Sequence, residues 1–563
     1  MKKLEKLTLK AMIDRTCEHF PERPALSMVD GEPIKYGELR DLIDDLIELL
    51  DKHGIAPGDR VAILSQNMPN WGIAYLAITS MGAVVVPILV DFHNNEILHI
   101  LKHSGAKLVF VSTTQYEKIG YSDLDPFPTL INLDTFNPIT ANLPKETLKE
   151  FINEQRMQLN RLGKKALKGS RLIKQEVQEN DLAAIIYTSG TTGSSKGVML
   201  SHKNLVLDAV LTLGIQDLVE TDRLISILPL SHTYECTIGF IIPIMQGACI
   251  YYLDKPPTAR ILIPAMQKIR PTMILTVPLI IEKIFKLQVH PQLTGNLLFK
   301  ELYKIPATRK LLHKVAGKKL MKTFGGALHF YGIGGALLSW EVERFLYEAG
   351  FPYAIGYGLT ETSPLIAGCT PAVVKFRSTG TILDTLQVRI ANPDPKTGVG
   401  EIQIKGDTVM MGYYKDKQRT EEAYTEDGFF KTGDLGIIKK KNYLYIKGRI
   451  KNVIVAASGE NIYPEEIEAK INEHEMVLES LVYESGGNII ARVFLNYEQL
   501  DKLHNLTRMS SVQAERITSK FLTDLRNQVN SSVVSFSKIH QIIEQKEPFE
   551  KTPTQKIKRF LYQ

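Results

Sequence analysis

The sequence contains few cysteines, and none of them stands at a spacing that binds a metal ion. Only four occur in 563 residues, at Cys17, Cys236, Cys249 and Cys369. Without a CxxC pair or another metal-binding spacing, they predict neither a zinc site nor a disulfide framework. We expect buried free thiols, which suit a reducing compartment.

Long apolar runs are also missing. The most apolar stretch, residues 237–253, is interrupted by Pro243, Gln246 and Gly247. It is also shorter than the roughly 20 residues that a membrane-spanning helix needs, so we expect it in a protein core. Residues 1–20 interleave charges where a signal peptide has an apolar centre. We therefore predict a cytoplasmic protein, with peripheral attachment to the inner face of a membrane as an open alternative.

The excess of positive charge is small for a chain of this length. The net charge is +6, with 23% charged and 44% hydrophobic residues, a balance typical of soluble globular proteins and not of disordered or fibrous ones. Such a charge allows attraction to anionic ligands or lipid surfaces, and we expect no nucleic-acid partner. The length exceeds what one ordinary core supports, so we expect two or more domains.

The first third of the chain alternates helical and strand patterns. Residues 36–54 carry leucines at helical spacing and end at a glycine, and an apolar strand pattern follows at 59–64. The alternation continues with a helix from Pro69, a strand at 83–89 and a helix from Asn94. Strand–helix–strand repetition predicts an α/β fold in which helices flank parallel-rich sheets.

The pattern changes near Gly380, where short alternating segments and turn residues indicate a small antiparallel, β-barrel-like subdomain. Later residues bring two short strands, a glycine turn and a helix. We predict a large amino-terminal domain over residues 1–448 and a small α+β carboxyl-terminal domain over 449–563, a normal size for a small domain.

One loop has the composition of a phosphate-binding site. Residues 187–202, YTSGTTGSSKGVMLSH, combine glycines, hydroxyl side chains and Lys196 after an apolar strand at 182–187. Backbone N–H groups, hydroxyls and a cation at the carboxyl end of a strand suit phosphate. The loop is not a Walker loop, because Gly197 follows the lysine in place of serine or threonine. A flexible glycine–serine turn is the alternative.

Five motifs in order carry a resemblance to a known family. The chain resembles the adenylate-forming superfamily of acyl-CoA synthetases, luciferases and peptide-synthetase adenylation domains, over nearly its whole length. The motifs are the loop itself, YGLTETS at 357–363, KTGDLG at 431–436, GRIKNVIVAASGENIYPEEIE at 448–468 and TPTQKIKR at 552–559. The resemblance implies that a carboxylate attacks the α-phosphate of ATP, releasing pyrophosphate, and that a thiol then takes the acyl group. It implies ATP, Mg²⁺ and CoA as cofactors.

The resemblance also assigns the nucleotide site. The loop would hold the β- and γ-phosphates, Tyr357 would stack on adenine, and Asp434 would accept hydrogen bonds from both ribose hydroxyls with help from Arg449. The full set of implied ATP and AMP contacts is Thr188, Ser189, Gly190, Thr191, Thr192, Gly193, Lys196, Gly334, Gly335, Ala336, Tyr357, Gly358, Asp434 and Arg449.

Four residues are the implied catalytic group. Lys556 would place positive charge on the carboxylate and the α-phosphate, Glu361 would hold Mg²⁺, and Thr360 would bond the α-phosphate. His232 would lie beside the acyl and thiol channels. Three of the site residues also have a structural alternative: Glu361 as an acid at a helix start, Lys556 as a solvated tail charge and Asp434 as a turn residue.

The resemblance further implies that the small domain rotates between the two half-reactions. Lys451 occupies the hinge position, where many family members carry aspartate. In the second state Lys556 would leave the site and residues 456–464 would enter it. Gly459 and Glu460 would then contact CoA. Gly459 suits the border of the pantetheine channel, because a residue without Cβ lets the thin arm pass.

Two further segments favour a fatty acid as the substrate. Residues 228–235, LPLSHTYE, and 277–285, VPLIIEKIF, resemble long-chain acyl-CoA synthetases. Tyr234 and Gly332 are assigned to the acyl pocket, with core packing as the alternative for Tyr234. A second hypothesis is that acyl carrier protein replaces CoA as the acceptor. A third hypothesis is a non-catalytic acyl- or nucleotide-binding protein.

Residues 299–324 are strongly basic, and helical periodicity divides them into two faces. One face is basic, with Lys310, Lys314 and Lys318. The other is apolar, with Leu311, Leu312 and Val315. A solvated surface helix and an amphipathic contact with anionic lipid both remain open.

Overall fold

The computed structural model describes residues 4–119, 124–139, 176–188, 195–455, 461–504, 509–552 and 556–563. Its α-helices are Leu9–His19, Tyr36–Lys52, Pro69–Ser80, Asn94–Ser104, His202–Leu213, Ile242–Gln246, Ala259–Ile269, Pro278–Ile284, His290–Thr294, Leu297–Lys304, Pro306–Thr323, Trp340–Ala349, Lys417–Ala423, Pro464–Asn472, Tyr497–His504 and Ser511–Ser532. Two π-helices, Tyr234–Ile241 and Phe285–Val289, continue directly into helices. Short 3₁₀ turns are Tyr116–Lys118, Thr360–Thr362, Pro371–Val373, Lys440–Asn442, Ile450–Asn452, Ser535–Ser537 and Arg559–Leu561.

Sheet 1 has eight strands around a parallel centre. In spatial order they are Gly412–Tyr413, Lys196–Ser201, Leu182–Thr188, Val84–Ile88, Arg60–Leu64, Leu108–Val111, Thr129–Asn132 and Pro138–Ile139. The two strands at the first edge and the one at the far edge run antiparallel to their neighbours, and the central strands are parallel. The strand predicted at 59–64 therefore lies near the middle of the sheet.

Sheet 2 has seven strands, of which all but the last run parallel. In spatial order they are Tyr353–Ile355, Phe330–Ile333, Met273–Thr276, Arg223–Ser226, Cys249–Tyr252, Pro24–Met28 and Ile34–Lys35. Helix Pro69–Ser80 contacts strands of both sheets, and all of its residues from Trp71 onward are buried. A helix that is apolar all round suits this position between two layers. The predicted α/β architecture is confirmed.

Sheet 3 corresponds to the predicted antiparallel subdomain. Its strands, in spatial order, are Tyr357–Gly358, Leu365–Gly368, Thr381–Ile382, Tyr443–Arg449, Phe430–Lys439, Gly400–Lys405 and Gln387–Ala391. All described pairings are antiparallel, and none joins the two outer strands. The subdomain is therefore an open sheet within the described residues and not a closed barrel.

The carboxyl-terminal part has its own small core. Strands Ile454–Val455 and Asn461–Ile462 form the two-stranded sheet 4, and three longer strands form sheet 5: Val477–Ser485, Asn488–Leu495 and Gln541–Gln545. Helices Pro464–Asn472 and Ser511–Ser532 pack on sheet 5 around a separate apolar cluster. Helices packed on an antiparallel-containing sheet are the α+β arrangement that we predicted for this part. The domain boundary at residue 448 stays a prediction.

Several local predictions match the structure closely. Helix Tyr36–Lys52 buries Leu39, Ile43, Leu46 and Leu50, and it ends before Gly54, whose φ is +73°. All four cysteines are free and buried, as expected. The apolar stretch 237–253 folds into the core, and no described helix has the length and apolar character needed to cross a bilayer.

The basic segment differs from its predicted two-faced form. In helix Pro306–Thr323 the buried residues are His313, Gly317 and Leu320. Leu311 and Val315 are 64% and 62% exposed. They therefore lie on the solvent side beside the lysines, because helix Trp340–Ala349 packs against the opposite face.

Candidate active site

The predicted phosphate loop begins and ends on paired strands. Leu182–Thr188 and Lys196–Ser201 are antiparallel, and Thr188 lies directly opposite Lys196. Ser189, Gly190, Thr191, Thr192 and Gly193 lie outside the described residues. The buried Oγ1 of Thr188 has no hydrogen-bond partner in the described part of the chain. A buried hydroxyl that lacks a protein partner is suited to donate a hydrogen bond to a phosphate oxygen.

Lys196 reaches a carboxylate from another motif. Its Nζ lies 2.8 Å from Glu361 Oε1 and donates to the Tyr413 hydroxyl at 2.6 Å. Tyr413 in turn donates to Glu361 Oε1 at 3.0 Å. Burial by itself would raise the pKa of Glu361, but Lys196 and Tyr413 outweigh it and the pKa is lowered. We call these three residues the phosphate end of the site.

Sequence reasoning missed Tyr413. Strand Gly412–Tyr413 pairs with Met199 and Val198, which brings the tyrosine beside Lys196. The only nearby sequence feature is Gly412, a turn-forming residue before Tyr413, and this feature does not indicate which strand Tyr413 lies beside. Only the long-range pairing places the hydroxyl on Glu361.

A second buried carboxylate lies in sheet 3. Asp434 and Arg449 are cross-strand partners, and Arg449 Nε lies 2.9 Å from Asp434 Oδ1. The Tyr357 hydroxyl donates to Asp434 Oδ2 at 2.8 Å. Burial raises the pKa of Asp434, and Arg449 and Tyr357 oppose the shift without cancelling it. We call these three residues the ribose end.

The predicted adenine residue Tyr357 is itself well buried, among Ile366, Ala367 and other apolar side chains. Burial and the neighbouring Asp434 raise the pKa of its hydroxyl far above the usual value. Stacking on adenine stays a prediction. The hydrogen bond to Asp434 gives Tyr357 a second role, which is to orient the carboxylate predicted to accept from ribose.

The glycines of residues 332–335 border Tyr234. A Cβ on Gly334 would lie 3.0 Å from the Tyr234 ring, and one on Gly332 would lie 2.8 Å from Leu275. Gly335 has a φ of +88° and is exposed together with Ala336. The phenol ring therefore lies against two glycine backbones, where a larger residue would displace it.

Gly358 has a structural reason to be glycine. A Cβ there would lie 2.0 Å from the carbonyl oxygen of Pro364, closer than atoms can approach. The residue is exposed on its other side. The close approach of Pro364 is enough to explain why residue 358 is glycine, and its predicted contact with the nucleotide stays a prediction.

His232 and Lys556 come from distant parts of the sequence, yet the charge of Lys556 acts on His232. Burial lowers the pKa of His232 to about 4, and the charge of Lys556 adds to the shift. The pKa of Lys556 is also lowered. Loss of hydration among the surrounding protein groups is the main cause and the charge of Arg449 the second, while Asp434 and Glu361 oppose the change. Lys556 keeps an accessible side toward solvent. The carboxyl-terminal segment thus brings the charge of Lys556 near both carboxylates, and we call the space among Glu361, Asp434 and Lys556 the crevice.

The remaining predicted residues have simpler positions. Thr360 is buried beside Glu361 in the turn Thr360–Thr362. Lys451 is exposed in the turn that follows Arg449. Gly459 and Glu460 lie outside the described residues.

The site offers one carboxylate to a metal ion. No group of three or more His, Cys, Asp or Glu side chains in the described part of the chain could hold a metal alone. A lone ionised glutamate fits Mg²⁺, which commonly binds one or two carboxylates together with substrate phosphates. Glu361 Oε2 is left for this purpose, because the contacts of Lys196 and Tyr413 both fall on Oε1.

Comparison with known proteins places this geometry in a family. The model of the AMP-binding enzyme family matches residues 13–414. The chain is 28% identical to the long-chain-fatty-acid–CoA ligase heimdall of Drosophila melanogaster, over 83% of this chain and 72% of that protein. It is also 28% identical to the probable 4-coumarate–CoA ligase 2 of Dictyostelium discoideum, over 83% of this chain and 81% of that protein.

The fold is similar to that of a solved enzyme. The crystal structure of an anthranilate–CoA ligase in complex with anthranoyl-AMP superposes with a TM-score of 0.76 at 18% identity, over 98% of this chain and 96% of that one. At this identity the likeness shows the fold alone. The family match covers most of the chain, and we conclude that this protein belongs to the AMP-binding enzyme family.

Proposed function

We propose that the protein is an AMP-forming fatty acid–CoA ligase. One observation carries the proposal: Lys556 of the carboxyl-terminal segment lies within electrostatic reach of Asp434, Glu361 and His232 in a single crevice. A reaction that joins a carboxylate to a triphosphate needs cations and donors where negative charge accumulates. The two ends and Lys556 supply them.

The two ends of the crevice divide the nucleotide between them. At the phosphate end, Lys196 and the Thr188 hydroxyl would bind the β- and γ-phosphates, with residues 189–193 supplying further donors. Mg²⁺ held by Glu361 and the phosphates would supply charge neutralisation there. At the ribose end, Asp434 would accept from the two hydroxyls, because each of its oxygens retains a free lone pair.

Lys556 is the residue that would act on the reacting atoms. Its ammonium would bridge the substrate carboxylate and the α-phosphate, which otherwise repel each other. Thr360 would donate to the same phosphate. Glu361 and Asp434 near Lys556 are buried, so the lysine charge interacts with them more strongly than it would in bulk water.

The acid would enter beside Tyr234. Its ring lies against Gly332 and Gly334, next to the apolar side chains of sheet 2. Rotation of the ring would open an apolar space, in which each buried methylene contributes about 0.8 kcal/mol. The similarity to the long-chain ligase favours a fatty acid. The similarity to the 4-coumarate ligase makes an aromatic acid the second candidate.

CoA is the proposed acceptor, and acyl carrier protein is the alternative. Thiol transfer would use His232, Gly459 and Glu460 after the small domain, residues 449–563, turns about Lys451. A cytoplasmic location fits this chemistry.

An acid panel tests the substrate and the acceptor together. Saturated acids from C4 to C18 and aromatic acids such as 4-coumarate are each supplied with ATP and Mg²⁺, and AMP release is measured with and without CoA. We expect the highest activity with a medium- or long-chain acid and sustained turnover only with CoA. Preference for an aromatic acid, or turnover independent of CoA, would reject the corresponding part of the proposal.

We also propose peripheral contact with anionic lipid through the exposed face of helix Pro306–Thr323. On this face Leu311 and Val315 stand among exposed lysines: Lys310, Lys314, Lys318, Lys319 and Lys322. Exposed apolar side chains among basic ones fit the interface of an anionic membrane, where each basic residue adds about 1 kcal/mol of binding.

Vesicle pelleting tests the contact. Replacing Lys310, Lys314 and Lys318 by Glu should reduce pelleting with phosphatidylserine vesicles at least about tenfold, and Leu311→Ser with Val315→Ser should weaken it further. The control replaces Lys439, Lys440 and Lys441 by Glu, the same charge change on an exposed hairpin turn. Equal losses in both triple variants would leave this face as ordinary solvated surface.

A further inference from the structure

A cavity of about 140 Å³ adjoins the phosphate end, with Lys196 and Tyr413 in its wall. Helix Asn94–Ser104 contributes His99 and His103, and the start of strand Lys196–Ser201 contributes Lys196. Tyr413, Tyr414, Lys415, Asp416 and Arg419 complete the wall. We call this space the basic cavity. It is large enough for a small inorganic anion and too small for a nucleoside.

Positive charge dominates the basic cavity. Three basic side chains, Lys196, Lys415 and Arg419, line it together with one carboxylate, Asp416. That carboxylate is already engaged: Asp416 Oδ1 accepts from the Arg419 backbone N–H at 3.0 Å and caps the helix that starts at Lys417, and Asp416 Oδ2 lies 3.4 Å from Arg419 Nε. The excess of cationic groups over carboxylates favours an anionic ligand.

Two histidines extend the donor set. The rings of His99 and His103 stack with centroids 5.5 Å apart, and His103 Nδ1 lies 2.7 Å from the Tyr187 hydroxyl. Lys415 Nζ donates to the His103 carbonyl oxygen at 2.9 Å, which holds its ammonium at the cavity wall. Burial lowers the pKa of His103, and the neighbouring His99 and Lys415 lower it further, as a cationic environment requires.

Lys196 joins the basic cavity to the phosphate end. Its Nζ contacts Glu361 and Tyr413, and Tyr413 also lines the cavity. An anion that leaves the phosphate loop can therefore stay in contact with Lys196 while it gains Lys415 and Arg419.

We propose that the basic cavity is a product subsite for pyrophosphate. The inference rests on the proposed function. When the acid's carboxylate oxygen bonds to the α-phosphorus, the bond from that phosphorus to the bridging oxygen breaks. The oxygen departs with the electron pair as part of pyrophosphate, and no proton transfer or redox partner is needed. Lys415 and Arg419 receive this anion and do not contact intact ATP.

The full-length protein with Lys415→Gln and Arg419→Gln tests the subsite. Inorganic pyrophosphate is the probe, and its dissociation constant is measured by calorimetry in the presence of Mg²⁺. The same variant is assayed for the pyrophosphate concentration that half-saturates ATP formation from added acyl-adenylate. We expect both values to rise about tenfold, with the KM for ATP in the forward reaction changed less than about twofold.

Lys417→Gln is the matched control, because its side chain is 90% exposed on the same segment and does not line the cavity. It should leave pyrophosphate binding unchanged. An unchanged dissociation constant in the double variant would overturn the subsite, and so would an equal rise in the KM for ATP. If the wild-type protein binds pyrophosphate but forms no ATP, the proposed function fails while the binding comparison still decides the subsite.

Discussion

The phosphate end and the ribose end hold buried carboxylates whose pKa values are shifted in opposite directions. Each carboxylate pairs with one cation and one tyrosine hydroxyl, yet the pKa of Glu361 is lowered and that of Asp434 is raised. The cations differ in exposure: the side chain of Lys196 is 27% exposed and that of Arg449 is 46% exposed. A more exposed cation is better screened by water and ions, so it offsets less of the cost of burial.

The difference in pKa shift fits different roles for the two carboxylates. Glu361 stays ionised and suits a site for a cation and phosphates. Asp434 is less strongly held in its charged form, which suits a group that accepts hydrogen bonds from neutral ribose hydroxyls. Lys556 lies near both carboxylates and is the natural place to test whether the two ends work together.

Lys556→Ala should have the largest effect. Loss of the ammonium should reduce adenylation of free acid by at least about 100-fold, because developing charge loses its main donor. Transfer from preformed acyl-adenylate to CoA should change less than about threefold, because the resemblance places Lys556 outside the site in that step. Both half-reactions are measured separately, by pyrophosphate release and by thioester formation.

Lys558→Ala serves as the control, since its Nζ pairs with Glu550 at 3.0 Å near the same chain end. It should leave both half-reactions near the wild-type rate. Equal loss of the two half-reactions in Lys556→Ala would contradict a role restricted to adenylation.

Charge removal at the two ends should separate kcat from KM. Glu361→Gln should lower kcat about 100-fold, because the cation it holds acts where charge develops. Asp434→Asn should instead raise the KM for ATP about tenfold and leave kcat within about threefold, because ribose contacts are the same before and during reaction. Steady-state kinetics over a range of ATP concentrations gives both values. The same pattern in both variants would remove the distinction between the ends.

Tyr413→Phe should have the smallest effect and act through pH. The variant removes one donor to Glu361, so the pKa of that carboxyl should rise. A carboxylate with a depressed pKa is lost only as pH falls through its folded value, and less depression moves that loss to higher pH. The acid limb of the kcat profile should therefore shift upward while activity at neutral pH falls only a few-fold, by about 1 kcal/mol or less.

AMP binding without Mg²⁺ provides the control for this shift. It depends on Asp434 at the ribose end, so its acid limb should be the same in Tyr413→Phe and in the wild type. A shift in both profiles would mean that the tyrosine acts on the whole crevice and not on Glu361 alone.

Much of the fold could be predicted from the sequence, for local reasons. Helix Tyr36–Lys52 was identified because its apolar residues recur at helical spacing and a glycine ends the run. The central strands of the parallel sheets were visible as short, β-branched apolar segments. These signals depend on near neighbours in the chain.

Other features could not be predicted because they depend on distant partners. Leu311 and Val315 have the periodicity of a packed face, but helix Trp340–Ala349 covers the other side of their helix. The antiparallel subdomain was foreseen, but whether its sheet closes depends on which strands meet at the edges.

The sequence by itself determined the order of the motifs, the fold class and the chemical character of each site residue. Tertiary structure decided which of them touch. Tyr413 bonds Glu361 because strand Gly412–Tyr413 pairs with Val198 and Met199. The charge of Lys556 acts on Asp434 because Phe549, Ile557 and Tyr562 pack the last segment against sheet 5. Strand register and domain placement arise from contacts between remote segments, and no local periodicity specifies them.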